Sequence, residues 1–104
     1  MNRGDVWDIE GLPGGRRPYV IITRDRVIPY LRSVTVAEIT TTVRGLPTEV
    51  PLGATAGVME GSVVNCDNVF TISKHHLSAR RGELDIGQTQ ALGAALAIAF
   101  GLDD

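Results

Sequence analysis

The hydrophobic pattern of this chain changes period once, and late. Up to residue 84 the apolar residues come in short bursts broken by Gly, Pro, Asn and Asp. From residue 85, "DIGQTQALGAALAIAFG" places Leu92, Ala95, Leu96 and Ala99 at the i, i+3, i+4, i+7 spacing of an amphipathic helix. Asp85 followed by Gln88 resembles a capping box, and Gly101 stands where such a helix stops. Gly93 costs the helix about 1 kcal/mol against alanine, so close packing against another element would be a reason to keep it. Many short strands followed by one terminal helix predict a mainly β chain with α. The expected architecture is a small, mostly antiparallel barrel or curled sheet with the helix packed on it.

"DVWDIE" (5–10) reads as a first strand and "GLPGGRR" (11–17) as a loop rich in turn formers. "PYVIIT" (18–23) is a continuous apolar run, the pattern of a strand buried on both faces, with Pro18 at its tolerated first position. "RDRVIPYLRS" is a connection with one helical turn. "VTVAEITTTV" (34–43) is a strong strand, and "TEVPL" (48–52) is a shorter edge strand because of Pro51. "GSVVNCDNVFTIS" (61–73) holds one or two strands, and "GELD" adds a last short one.

The length of 104 residues fits one domain, 1–104, and 43% hydrophobic with 21% charged residues is globular composition. The net charge of −2 excludes a broadly basic nucleic-acid binder, but the charge is unevenly spread. Residues 1–44 hold seven arginines and no lysine against five acids; residues 45–104 hold Lys74, Arg80 and Arg81 against seven acids. A polyanion site is therefore expected in the first half as a local arginine cluster, and guanidinium geometry suits phosphate. The charged "MNRGDVWDIE" is no secretory leader, and no apolar run reaches bilayer length. The single Cys66 forms no internal disulfide, so a cytoplasmic location is expected.

Several motifs carry no chemistry. "RGD" (3–5) is a chance tripeptide in this setting. His75 and His76 are adjacent, so a strand would point them to opposite faces, and a solvated turn fits better. Cys66 lacks a flanking base or cation and reads as a small buried hydrophobe. No P-loop, metal-ligand spacing or nucleophile elbow occurs, so neither metal nor cofactor is expected. What remains is Arg16 and Arg17 closing a loop, Thr40, Thr41 and Thr42 ending a strand, and the polar cluster "NCDN" (65–68). Together they supply phosphate donors, hydroxyls and base-edge partners suited to single-stranded nucleic acid.

"RGDVWDIE", "RRPYVIITRD", "VTVAEITTTVRGLPTEVPL" and "GSVVNCDNVFTISKHHL", in this order over nearly the whole chain, resemble the MazF/PemK/Kid family of toxin–antitoxin ribonucleases. The wording "TTTVRGLPTEV" and "VVNCDN" looks most like short actinobacterial members. The resemblance implies an SH3-like barrel of the MazF/CcdB kind, a homodimer, and a MazE-like antitoxin whose acidic tail lies in the RNA groove. It also implies metal-independent cutting of single-stranded RNA to a 2′,3′-cyclic phosphate and a 5′-hydroxyl.

Carried over residue by residue, the resemblance assigns catalysis to Arg17 and Thr40. It assigns base reading to Asp67 and Asn68; Arg16, Asn65 and Thr41, from the residue constellation above, are read as further RNA contacts. Asn65 stands where one branch has a catalytic arginine, so that role does not transfer. The Trp7–Arg17 loop is shorter than in many relatives, and Phe70 replaces a frequent arginine. Arg17 fits a phosphate clamp and proton donor, whereas a guanidinium is effectively never deprotonated and makes a poor base. The base stays open among Asp67, Asp25 and Glu38. Tyr19, Trp7 and Tyr30 are candidate stacking residues. Alternatives are a CcdB-like gyrase poison, which the acidic ending "FGLDD" disfavours, and a non-catalytic binding barrel.

Overall fold

A computed structural model describes residues 1–103. Strands β1 (Asp5–Ile9), β2 (Arg17–Ile21), β3 (Ser33–Thr40), β4 (Glu49–Pro51), β5 (Val63–Ser73) and β6 (Leu77–Glu83) precede one helix, α1 (Ile86–Ala99). They form a single sheet in the order β4-β5-β3-β2-β1-β6, antiparallel at every ladder. This is the mainly β architecture with a C-terminal helix that the pattern predicts.

The apolar run of β2 is explained by a core on each side of the sheet. On one side Val20 joins Val6, Ala37, Val64, Leu92 and Ala95 beneath α1. On the other, Tyr19 and Ile21 join Ile9, Ile28, Val34 and Val36. Ile28 comes from a 3-10 turn, Asp25–Tyr30, that covers this second core. Burying each large aliphatic side chain contributes roughly 1.5–3 kcal/mol. The helix begins as predicted: Asp85 accepts from the Gln88 N–H at 2.7 Å, and Gln88 accepts from the Asp85 N–H at 2.9 Å. Leu92 and Ala95 are its buried residues, with Leu96 and Ala99 packed beside them.

The sheet curls until its two edges meet. The 3-10 turn Ala54–Ala56 that follows β4 lies directly on β6. A Cβ on Gly57 would stand 2.2 Å from the Arg81 carbonyl oxygen, and one on Gly82 would stand 2.6 Å from the Ala56 carbonyl carbon. Gly57 also has φ of +73°, so glycine is required there on both counts.

Residues 63–73, read as one or two strands, are one strand with a bulge. Three features differ from the sequence reading. β3 stops at Thr40, because the Thr42 N–H turns back to donate to Thr40 Oγ1 at 3.0 Å, leaving Thr41 and Thr42 in a loop. The last strand is seven residues long, not the short "GELD", because pairing with β1 holds it despite its exposed, charged sequence. Finally, a Cβ on Gly93 would meet nothing within 4 Å among the described residues, so close packing does not account for it. Among the described residues no helix is long and apolar enough to cross a membrane.

Candidate functional site

The β2–β3 ladder pairs Tyr19 with Glu38, Val20 with Ala37 and Ile21 with Val36. Continuing that register sets Arg17, the first residue of β2, opposite Thr40, the last of β3. Directly opposed residues share a face, so Arg17, Tyr19, Glu38 and Thr40 stand on one surface of the sheet. At this end opens a cleft of about 400 Å³ whose lining includes Arg17, Thr40, Thr41, Thr42, Ser62 and Arg81. Among the described residues no carboxylate lines it. Arg17 is exposed, and its Nε donates to the Gly14 carbonyl at 3.3 Å, which tethers the guanidinium to the glycine loop. Two guanidinium groups and a run of hydroxyls form a site for a tetrahedral anion. A larger hollow of about 700 Å³ lies between the β2–β3 connection and the end of α1, lined by Arg24, Arg32 and the hydroxyls of Thr23, Ser33, Thr35 and Thr71.

Arg16 is not part of this cleft. Its guanidinium donates to Asp8 Oδ2 through Nε at 3.0 Å and Nη2 at 2.9 Å, and to Glu10 Oε1 through Nη1 at 2.8 Å. The hydrogen bond to Asp8, then that to Glu10, holds its pKa above the ordinary arginine value. Asp8, itself buried, also meets Arg81 Nη1 at 3.3 Å. Successive residues of an extended chain point opposite ways, which separates Arg16 from Arg17.

Asn65, Asp67 and Asn68 form a second group. Glu38 pairs with Asn65 while Ala37 pairs with Val69, so Cys66, Asp67 and Asn68 bulge from β5 without partners on β3. Asp67 is exposed and accepts from Thr48 Oγ1 at 2.6 Å. Asn65 Oδ1 accepts from the Asp67 N–H at 3.0 Å. Asn68 Nδ2 donates to Glu38 Oε2. Glu38 thus joins the bulge to the Arg17–Thr40 row.

Sequence reasoning missed Arg81 and Ser62 at the cleft. Their only trace is a charged "SARRGE" in a segment too polar to read as a strand. It also missed Glu49, whose carboxylate accepts from the N–H groups of Arg44 (3.0 Å), Gly45 (2.8 Å) and Leu46 (3.1 Å). These bonds, led by the one from Arg44, hold its pKa below the usual carboxylate value and fix the loop after Thr42. An arginine-glycine pair followed by an acid is the signal that points to such a nest.

The remaining candidates sit as follows. Cys66 is buried, and burial pushes its thiol up to about 11. His75 and His76 lie in a 3-10 turn, with His76 Nδ1 2.8 Å from the Glu10 carbonyl oxygen. Tyr19 is a core residue with its ring edge-on to Phe70 at 6.2 Å. Trp7 packs against the same core with its Nε1 enclosed, whereas Tyr30 is 85% exposed.

Comparison with known proteins places this geometry in a family. The family model described as PemK-like, MazF-like toxin of type II toxin–antitoxin system matches residues 2–100. The chain is 52% identical over 87 residues to endoribonuclease MazF3 of Mycobacterium tuberculosis, covering 84% of each protein. The solved structure of Mycobacterium tuberculosis toxin MazF-mt6 superposes with a TM-score of 0.86 at 44% identity, covering 93% of this chain and 96% of that one. A mycobacterial endoribonuclease in complex with its cognate antitoxin gives a TM-score of 0.89 at 30% identity, covering 98% and 96%. With the six-stranded curled sheet, the terminal helix and these matches in place, the chain belongs to the PemK-like, MazF-like toxins of type II toxin–antitoxin systems.

Proposed function

We propose that this chain is the toxin of a toxin–antitoxin pair and acts as an endoribonuclease on single-stranded RNA, without a metal ion. The observation that carries this reading is the convergence of Arg17 and Arg81 with Thr40, Thr41 and Thr42 in one cleft that no carboxylate lines among the described residues. The neighbouring 2′-hydroxyl attacks phosphorus, and the products are a 2′,3′-cyclic phosphate and a 5′-hydroxyl. Arg17 grips two non-bridging oxygens as charge builds on them, and it gives a proton to the departing 5′-oxygen. Thr40 and Thr41 fix a phosphate oxygen through their hydroxyls. Asn65, Asp67 and Asn68 meet base edges from the bulge, where Asp67 is already oriented by Thr48. Arg16 contributes indirectly by holding Asp8 and Glu10.

The partner is an antitoxin whose acidic, extended segment competes for the same cationic cleft. A second copy of the chain completes a homodimer in the cytoplasm. Phe100 and Leu102, exposed by 57% and 77% beyond α1, are the kind of apolar surface that a second copy covers.

The test incubates purified protein with a long single-stranded RNA in excess EDTA, beside Arg17→Ala, and maps the cut ends. Discrete cuts bearing 5′-hydroxyls are expected, with the variant slower by about 10²–10³-fold. Substituting a 2′-deoxynucleotide 5′ to the scissile phosphate abolishes that cut alone. Cleavage that survives this substitution would sink the reading.

A further inference from the structure

The cleft lacks a group to take the proton from the attacking 2′-hydroxyl, because arginine and threonine side chains do not serve as bases at neutral pH. A carboxylate on the same face within reach of the Arg17–Thr40 row meets this need. Most acids of the structure are engaged elsewhere. Asp8 and Glu10 hold Arg16, Asp5 meets Arg80, and Asp25 accepts from the Arg3 N–H. Asp67 takes the Thr48 hydroxyl, Glu49 fills the amide nest, and Asp85 caps α1.

Glu38 differs from all of these. It stands two residues before Thr40 on β3, on the same face and opposite Tyr19, with Arg17 next to Tyr19 along that face of β2. It is half-buried and forms no ion pair among the described residues, and its one side-chain bond comes from the neutral amide of Asn68. Burial first, and then the Glu38 carboxylate, raise the Tyr19 hydroxyl above its usual pKa, while Arg17 opposes them. The Tyr19 hydroxyl therefore feels both charges.

We propose that Glu38 is the general base of RNA cleavage, facing the 2′-hydroxyl while Arg17 and Thr40 hold the adjacent phosphate. This inference rests on the ribonuclease reading above. The 2′-proton passes to the free oxygen of the Glu38 carboxylate as the 2′-oxygen bonds to phosphorus. The bond from phosphorus to the 5′-oxygen breaks, and the 5′-oxygen takes a proton from Arg17. Water then returns the Glu38 proton to Arg17, so the net reaction consumes none. Asn68 occupies the other carboxylate oxygen and aims the group.

The experiment measures kcat and KM against pH for the wild-type protein, Glu38→Gln, Glu38→Asp, Asn68→Ala and Arg17→Ala on one short RNA. Glu38→Gln keeps an acceptor for Asn68 but takes up no proton. The expected result is a fall in kcat of about 10²-fold or more with KM little changed, and loss of the acid limb of the kcat profile. Glu38→Asp retains that limb at a reduced rate. Glu38 stands opposite Tyr19 on β2 and Asn65 on β5, with Arg17 next along that face of β2, and none of the Glu38 substitutions removes them. A Glu38→Gln protein with wild-type kcat and an intact acid limb, while Arg17→Ala is dead, overturns the base role and leaves the cleft standing. Asn68→Ala lowers kcat but keeps the acid limb, because the Glu38 carboxylate is still there to take the proton; loss of that limb with Glu38 in place also overturns the base role. Full activity in Arg17→Ala overturns the site itself.

Discussion

Arg16 gives two N–H groups to a single oxygen of Asp8, at 3.0 and 2.9 Å, although it stands next to the arginine that faces the cleft. Adjacent residues of identical chemistry therefore do different work. Arg16 neutralises a buried carboxylate across the β1–β2 hairpin, and Arg17 stays available to a ligand.

Replacing Arg16 by alanine leaves RNA cleavage within about fivefold of wild type, since its guanidinium lies outside the cleft and the buried Asp8 keeps its contact with Arg81. Replacing Arg17 has the large effect given above. Initial rates on one RNA compare the two. Equal losses would mean that Arg16 leaves Asp8 and Glu10 to meet the phosphate.

Glu49 ties stability to pH. Its carboxyl lies below the usual value in the folded chain, so its contribution is present above the unfolded carboxyl value of about 4.3 and fades as pH falls through the folded one. Glu49→Gln therefore lowers Tm at pH 7, and its curve converges on the wild-type curve in stronger acid. Thermal melts of both proteins across pH 3–7 check this, and a constant gap over the range would refute it.

The Cys66 thiol, buried and pushed up to about 11, holds a thiolate fraction at pH 8 on the order of one in a thousand. A disulfide reagent at pH 8 leaves the folded protein unlabelled for hours and labels one thiol per chain in urea. Cys66→Ser destabilises by about 1–3 kcal/mol, because the hydroxyl gains no partner in the core beneath α1.

The parts of this fold legible in the sequence are those written in local chemistry. The Asp85–Gln88 box and the Leu92–Ala95–Leu96–Ala99 stripe need only neighbours within two turns. The run through Val20 and Ile21 declares a strand with a core on both sides. β6 stayed hidden because its residues are mostly exposed, and β1 holds it in place by backbone pairing. The bulge at Cys66–Asn68 arises from a mismatch in length between β3 and β5, which neither segment displays alone.

At the candidate site, Arg17, Thr40 and Thr41 were readable because a loop and a strand end place them there. The retirement of Arg16 was not, since it depends on Asp8 and Glu10 arriving across a hairpin. Arg81 could be found only after β6 was paired and the turn before Gly57 had closed upon it.

The pairing of β1 with β6, residue 5 against residue 83, has a consequence for synthesis. Arg17 and Thr40 leave the ribosome early, but the strand that carries Arg81 leaves near the end. A chain still being translated therefore owns both proposed catalytic side chains and only an open, three-walled cleft. Such long-range pairing is slow to form, so the wait continues briefly after release. The cleft is therefore complete only once β6 has paired with β1, after the other five strands have been made.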